Sequence, residues 1–132
     1  MQHSLSLAQL AQAKGEVPVG AIVVLNNQII GEGWNQPICT NDPTAHAEII
    51  AIRQAAQHVG NYRLVNSVLY VTLEPCLMCV GAIMHARIQT LIFGAKDPKV
   101  GASHQLKLTK VQHGICASEC SAILKNFFKT KR

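Results

Sequence analysis

No apolar run in this chain approaches the roughly 18 uninterrupted residues that a membrane-spanning helix requires, so a helical membrane protein is not expected. The N-terminus lacks the basic segment and continuous apolar core of a secretory signal, which leaves export by that route without support. Charge is scarce, at 14% of residues, while hydrophobic residues make up 48%. That balance excludes a disordered chain, because disorder goes with high charge and little to bury. Cysteines number five, an odd count that cannot close into a full set of disulfides and fits a reducing compartment. Internal repeats and low-complexity tracts are absent. These exclusions leave one soluble cytoplasmic domain over residues 1–132 as the expectation, and a chain of that size buries roughly two thirds of its unfolded surface.

The chemistry is concentrated in two short motifs, His46-Ala47-Glu48 and Pro75-Cys76-Leu77-Met78-Cys79. Together they offer three metal ligands and one carboxylate left over. Zinc takes tetrahedral nitrogen and thiolate ligands, and a catalytic centre keeps its fourth position for water. His46, Cys76 and Cys79 leave that position free. A bound metal makes water a better acid, but attack on an unsaturated carbon still needs a group that moves protons, and Glu48 is placed for that role. Soft thiolates with imidazole favour zinc in a hydrolase. Taken alone, Cys76 and Cys79 would suit equally a redox pair or half of a structural zinc site. Cys39, His58 or His85 would then be the fourth ligand, and Glu48 would have no task. His3, His58, His85, His104 and His113 lack motif partners and read as surface or core histidines. Cys39, Cys116 and Cys120 read as small buried or idle residues.

Periodicity predicts a first helix over Leu5 to Ala13. Val19–Leu25 and Gln28–Glu32, joined by Asn26-Asn27, predict a hairpin. Asp42-Pro43-Thr44 reads as the start of a second helix with His46 and Glu48 in its first turn and Ile49, Ile50, Ile52 and Ala56 on its buried face. Residues two apart do not share a helix face, so His46 and Glu48 converge only across the helix end. Val68 to Leu73 reads as a buried strand, followed by a short apolar helix opening at Cys76 and running to about Ala86. Exposed N–H groups at that helix start favour thiolate over thiol. Ile88–Phe93 is a fourth strand, Leu106, Leu108 and Val111 alternate as an edge strand, and a last helix runs from about Ala117 to Lys129. Strands mixed with helices give an α/β fold, a three-layer sandwich.

Charge is uneven along the chain. Through Ala95 there are four basic residues and five acidic ones; the remaining 37 residues carry eight basic and two acidic, so the net +5 lies entirely in the C-terminal segment. This asymmetry suits a polyanionic partner, or else a solvated tail that aids solubility. Phe127 and Phe128 between Lys125 and Lys129 would stack unpaired bases or pack against the core.

The two motifs resemble the His-x-Glu and Pro-Cys-x-x-Cys signature of zinc deaminases that act on nucleobases. The chain resembles the nucleoside and nucleobase zinc deaminases, and within them the bacterial tRNA adenosine deaminases. The likeness extends through Glu16-Val17-Pro18-Val19-Gly20, Gly31-Glu32-Gly33-Trp34-Asn35, Asp42-Pro43-Thr44-Ala45, Asn61-Tyr62-Arg63-Leu64, Tyr70-Val71-Thr72-Leu73-Glu74 and Phe93-Gly94-Ala95-Lys96-Asp97. The resemblance implies a cytidine-deaminase-like mixed sheet, one zinc per subunit, a homodimer, and conversion of adenosine to inosine at the wobble position of a tRNA anticodon stem-loop. It also implies that Asn35, Ala47 and the backbone at Cys76 bound the base pocket and that Asp97 meets the nucleotide backbone. Phe128, Lys129, Lys131 and Arg132 are the expected RNA contacts. Asn35 as a turn residue and Asp97 as a turn cap are the plainer alternatives. Two departures bear on the substrate: the first helix begins later than is common in the family, and the stretch from Gly101 to Gly114 is shorter. A deaminase of free guanine, cytosine or a nucleoside is therefore the second reading, and a catalytically silent zinc or RNA-binding module the third.

Overall fold

A computed structural model describes residues 1–131. Its elements in chain order are α1 (Gln2–Ala13), β1 (Gly20–Leu25), β2 (Gln28–Trp34), α2 (Pro37–Thr40), α3 (Ala47–Val59), β3 (Val68–Leu73), α4 (Leu77–Ala86), β4 (Thr90–Ala95), β5 (Lys110–His113) and α5 (Ala117–Thr130), with a 3-10 turn at Ser103–Gln105. The sheet order is β2-β1-β3-β4-β5. β1 runs antiparallel to both β2 and β3, whereas β3, β4 and β5 are parallel. Helices α3 and α4 cover one face and α1 and α5 the other, which completes the three-layer α/β/α sandwich with a mixed central sheet.

The hairpin turns on Asn26 and Asn27, both with positive φ (52° and 63°), the two-residue geometry whose twist matches its flanking strands. Below it, helix α3 is set unusually close to the sheet. A Cβ at Gly31 would collide with the Ala51 carbonyl oxygen and lie 2.8 Å from the Ala55 nitrogen; one at Gly33 would collide with the Ala47 carbonyl oxygen. The buried stripe of α3 is therefore Ala47, Ala51 and Ala55, which corrects the expected Ile49, Ile50, Ile52 and Ala56. Ile52 and Ala56 only flank the core. Helical periodicity alone marks large apolar residues as the inward face, but glycines on the facing strand leave room only for methyl groups.

Other boundaries differ from the reading of the sequence, beginning with α1, which opens at Gln2 and not Leu5, and β4, which spans Thr90–Ala95 and not Ile88–Phe93. Asp42-Pro43-Thr44 does not begin a helix: the Asp42 carboxylate accepts the Thr44 N–H (2.8 Å) and O–H (2.7 Å), closing a turn, and α3 starts five residues after Asp42, with His46 as its N-cap. The short α2 was not foreseen, because its helical state depends on a distant carboxylate described below. The edge strand lies at Lys110–His113, not from Leu106, which packs instead against the core. Among the cysteines, Cys120 is buried and seats its side chain on Gly94, whereas Cys39 is exposed. No helix of the described residues is long and apolar enough to cross a membrane.

Candidate active site

The parallel strands β3 and β4 end side by side, and the Pro75–Cys79 motif lies beyond their carboxyl ends, where open α/β sheets bind ligands. Two helices begin there. His46 caps α3 with extended backbone (φ −73°, ψ 153°), and Cys76 caps α4 in the same manner (φ −77°, ψ 175°). Their N-termini point exposed N–H groups and the positive ends of their dipoles at one region.

In that region the His46 Nδ1, Cys76 Sγ and Cys79 Sγ atoms all lie within 4.8 Å of one another. His46 Nδ1 is 3.6 Å from Cys76 Sγ and 3.5 Å from Cys79 Sγ. Zinc bonds of about 2.3 Å to sulfur and about 2.05 Å to nitrogen, set at a tetrahedral angle, separate N from S by about 3.6 Å. The donors are thus spaced as a tetrahedral zinc site requires, with Nδ1 as the nitrogen ligand. Burial holds the His46 imidazole below its usual range, hence neutral, as ligation requires. Burial pushes the Cys79 thiol far up, and the neighbouring Glu48 and Cys76 push it further. A cation on the three donors would supply the charge that lets it ionise.

Glu48 sits one residue inside α3 and is only 4% exposed. Burial raises its carboxyl from 4.5 to about 7, against the opposing pull of its own backbone N–H and of Cys79. A carboxyl poised near neutrality beside metal ligands is suited to taking and returning a proton. Asn35, just after β2, accepts the Ala47 N–H through Oδ1 at 2.9 Å. That bond satisfies one of the free donors at the head of α3 and leaves the Asn35 amide N–H groups available. Ala47 itself is fully buried.

Two carboxylates brace the loops on either side. Glu16, 1% exposed, accepts the N–H of Ile38 (3.2 Å) and of Cys39 (2.7 Å), fixing α2. Its carboxyl is held below the usual range, the hydrogen bonds from Cys39 and Ile38 outweighing the opposing effect of burial. Glu74 braces the loop after β4. The sequence motifs contain both residues, yet neither has a signal of its own: their partners are backbone N–H groups, which carry no sequence identity.

The remaining predicted residues are placed as follows. Asp97, in the loop after β4, caps its own turn, accepting the N–H of Lys99 (3.1 Å) and Val100 (3.3 Å). Phe127 is buried, and Phe128 is half-exposed and edge-on to it, ring centroids 5.3 Å apart. Lys129 is exposed on α5. A cavity lined by Asn35, Pro37, Ile38, Phe127, Phe128 and Lys131 puts the end of α5 next to the Asn35 side of the site. Arg132 lies outside the described residues.

A family model described as MafB19-like deaminase matches residues 1–132. A tRNA-specific adenosine deaminase of Haemophilus influenzae is 51% identical over 146 aligned positions, covering 100% of this chain and 83% of the relative. A solved chain from structural studies of A-to-I editing by tRNA:A34 deaminases is similar with a TM-score of 0.89 and 41% identity, over 94% of this chain and 97% of that one. The structure of a guanine deaminase from Bacillus subtilis is similar over 72% of this chain and 61% of that one, with a TM-score of 0.69 and 41% identity.

Proposed function

The chain belongs to the family of tRNA-specific adenosine deaminases, and from that premise we propose that it converts adenosine hydrolytically to inosine at the wobble position of a tRNA anticodon. The observation that carries the chemistry is the convergence of His46, Cys76 and Cys79 at tetrahedral zinc spacing with the buried Glu48 beside them. Bound zinc would supply Lewis-acid activation of the water that adds to C6 of adenine. Glu48 takes a proton from that water and gives it to the ring nitrogen. It then carries the second proton to the amine as the C6–N bond breaks, so that adenosine and water become inosine and ammonia. Its carboxyl, buried beside the three ligands, is placed for both transfers.

Asn35 orients the incoming nucleotide: its carbonyl is occupied by Ala47, so its N–H groups are what it offers to an acceptor on the base or sugar. Ala47 bounds the pocket floor. Flanking RNA is held by Lys129, Lys131 and Arg132 through phosphates, by the half-exposed Phe128 through stacking, and by the Asp97 loop. The basic C-terminal segment supports this assignment. The enzyme works in the cytoplasm as a homodimer. Support for the second copy comes from Leu77 (66% exposed) and Met84 (39% exposed), which share one face with Gly81 on the helix that carries Cys79.

Inosine formation in an anticodon stem-loop with adenosine at the wobble position tests the reading, with the native protein and Glu48→Ala compared at matched zinc content beside free adenosine, cytidine and guanine. Conversion of the stem-loop alone, abolished by the substitution, is expected. Turnover of free guanine without the stem-loop would move the assignment to the activity of the Bacillus subtilis relative.

A further inference from the structure

Beyond the metal ligands and Glu48, one carboxylate organises the pocket rim. Glu74 directly follows β3, immediately before Pro75 and the ligand Cys76. Its Oε1 accepts the Asp97 N–H at 3.1 Å; its Oε2 accepts the Ser103 N–H at 3.2 Å and the Ser103 hydroxyl at 2.6 Å. Between those anchors the loop lies directly on it: a Cβ at Gly101 would collide with the Glu74 carboxyl. A second tie runs alongside, the Ala102 N–H donating to the Pro75 carbonyl at 2.9 Å. Segment 96–103 has no helix or strand of its own apart from the opening of the 3-10 turn at Ser103. Asp97 shapes the turn at its centre, while its seating on the protein comes from outside, from the Glu74 carboxylate with its three donors and from the Ala102–Pro75 bond. The loop carries two exposed cations, Lys96 and Lys99.

We propose that Glu74 is a positioning residue that staples the basic loop Lys96–Ser103 to the metal-ligand turn, presenting Lys96 and Lys99 to RNA phosphates in a preformed arrangement. A loop ordered before binding loses less freedom when the ligand arrives, so the staple acts on association with RNA and not on the chemical step. This inference rests on the reading of the protein as an RNA deaminase. Gln in place of Glu74 keeps the size but loses the charge, and its NH2 group cannot accept the bonds of one oxygen.

The test uses the full-length zinc protein, its Glu74→Gln and Ser103→Ala variants, and the wobble-adenosine stem-loop. For Glu74→Gln the expected result is a KM raised on the order of tenfold with kcat within about twofold of native. The salt slope of log KM should fall by about 1.4 to 1.8 if both lysines lose their fixed contacts. Ser103→Ala should shift KM in the same sense by about threefold, and it carries the test should Glu74→Gln fail to fold. Zinc content stays at the native ratio, and amide hydrogen exchange at Asp97, Gly101 and Ser103 accelerates while that of Ile50 and Val80 does not. A fall in kcat at unchanged KM, or a loss of zinc, would overturn the proposal in favour of support for Cys76. Unchanged exchange in the loop would overturn the staple while leaving the deaminase reading intact. A native protein that leaves the stem-loop unconverted would overturn both.

Discussion

Replacing Glu48 by Gln should abolish deamination and, in the chelated protein, make the fold more stable above neutral pH. The carboxyl is 4% exposed, so solvent does little to screen it, and burial lifts it from 4.5 to about 7. In the unfolded chain it ionises at the ordinary value. Between those two values the native state holds a proton that the unfolded state has released, so stability falls as pH rises, at about 1.4 kcal/mol per pH unit, and levels off above the folded value. The accumulated cost is roughly 3 kcal/mol. Gln has the shape of the protonated acid and no proton to lose. Urea unfolding of metal-free native protein and Glu48→Gln at pH 5 and pH 7.5 isolates this quantity. His46, whose imidazole is pushed down by burial, favours both proteins alike as pH rises and drops out of the difference. The gap between the two proteins should be small at pH 5 and widen toward roughly 3 kcal/mol at pH 7.5 in favour of Glu48→Gln. A pH-independent gap would refute the claim that the folded protein holds this carboxyl near 7.

Gly31→Ala places a methyl group against the backbone of α3, where nothing can rotate away. Chemical denaturation should show a loss of about 3 kcal/mol or more, with zinc affinity falling alongside it because the same helix carries His46. Lys129→Ala should weaken stem-loop binding to a similar extent across anticodon sequences. It should also lower the magnitude of the salt slope by about 0.7 to 0.9, measured by titration at several salt concentrations; an unchanged slope would mean that this lysine touches no phosphate.

Much of the site was legible because its chemistry is local in sequence. His46 with Glu48, and Cys76 with Cys79, are close-spaced pairs; the two-residue spacing of the first put it across a helix end, and the Glu74-Pro75 break put the second at a helix start, where the structure has both. The scaffold was legible where it repeats, in the hairpin and the buried strands. What escaped was whatever depends on the backbone of another segment. Nothing in Pro37–Thr40 announces a helix, since Glu16 supplies its missing acceptors from 22 residues away. Likewise the isoleucines of α3 gave a stronger periodic signal than the alanines. Only the facing glycines, which bring two backbones together, reverse that reading. At Asp97 the sequence supports a nucleotide contact and a turn cap alike, and the carboxylate accepts two N–H groups of its own turn.

The contact between β2 and α3 leaves the protein no side chain there to trade. Glycine meets alanine, and behind the alanine is main chain. Elsewhere in a protein, a change in one residue can be absorbed by a neighbour of complementary size. Here each position is already at or near the smallest residue available, so drift in one cannot be compensated in the other. The distance of His46 and Glu48 from the sheet is accordingly a fixed datum of the architecture. Any change in which base the pocket accepts has to be written in the bordering loops, around Asn35 and around Asp97, where volume can still be exchanged.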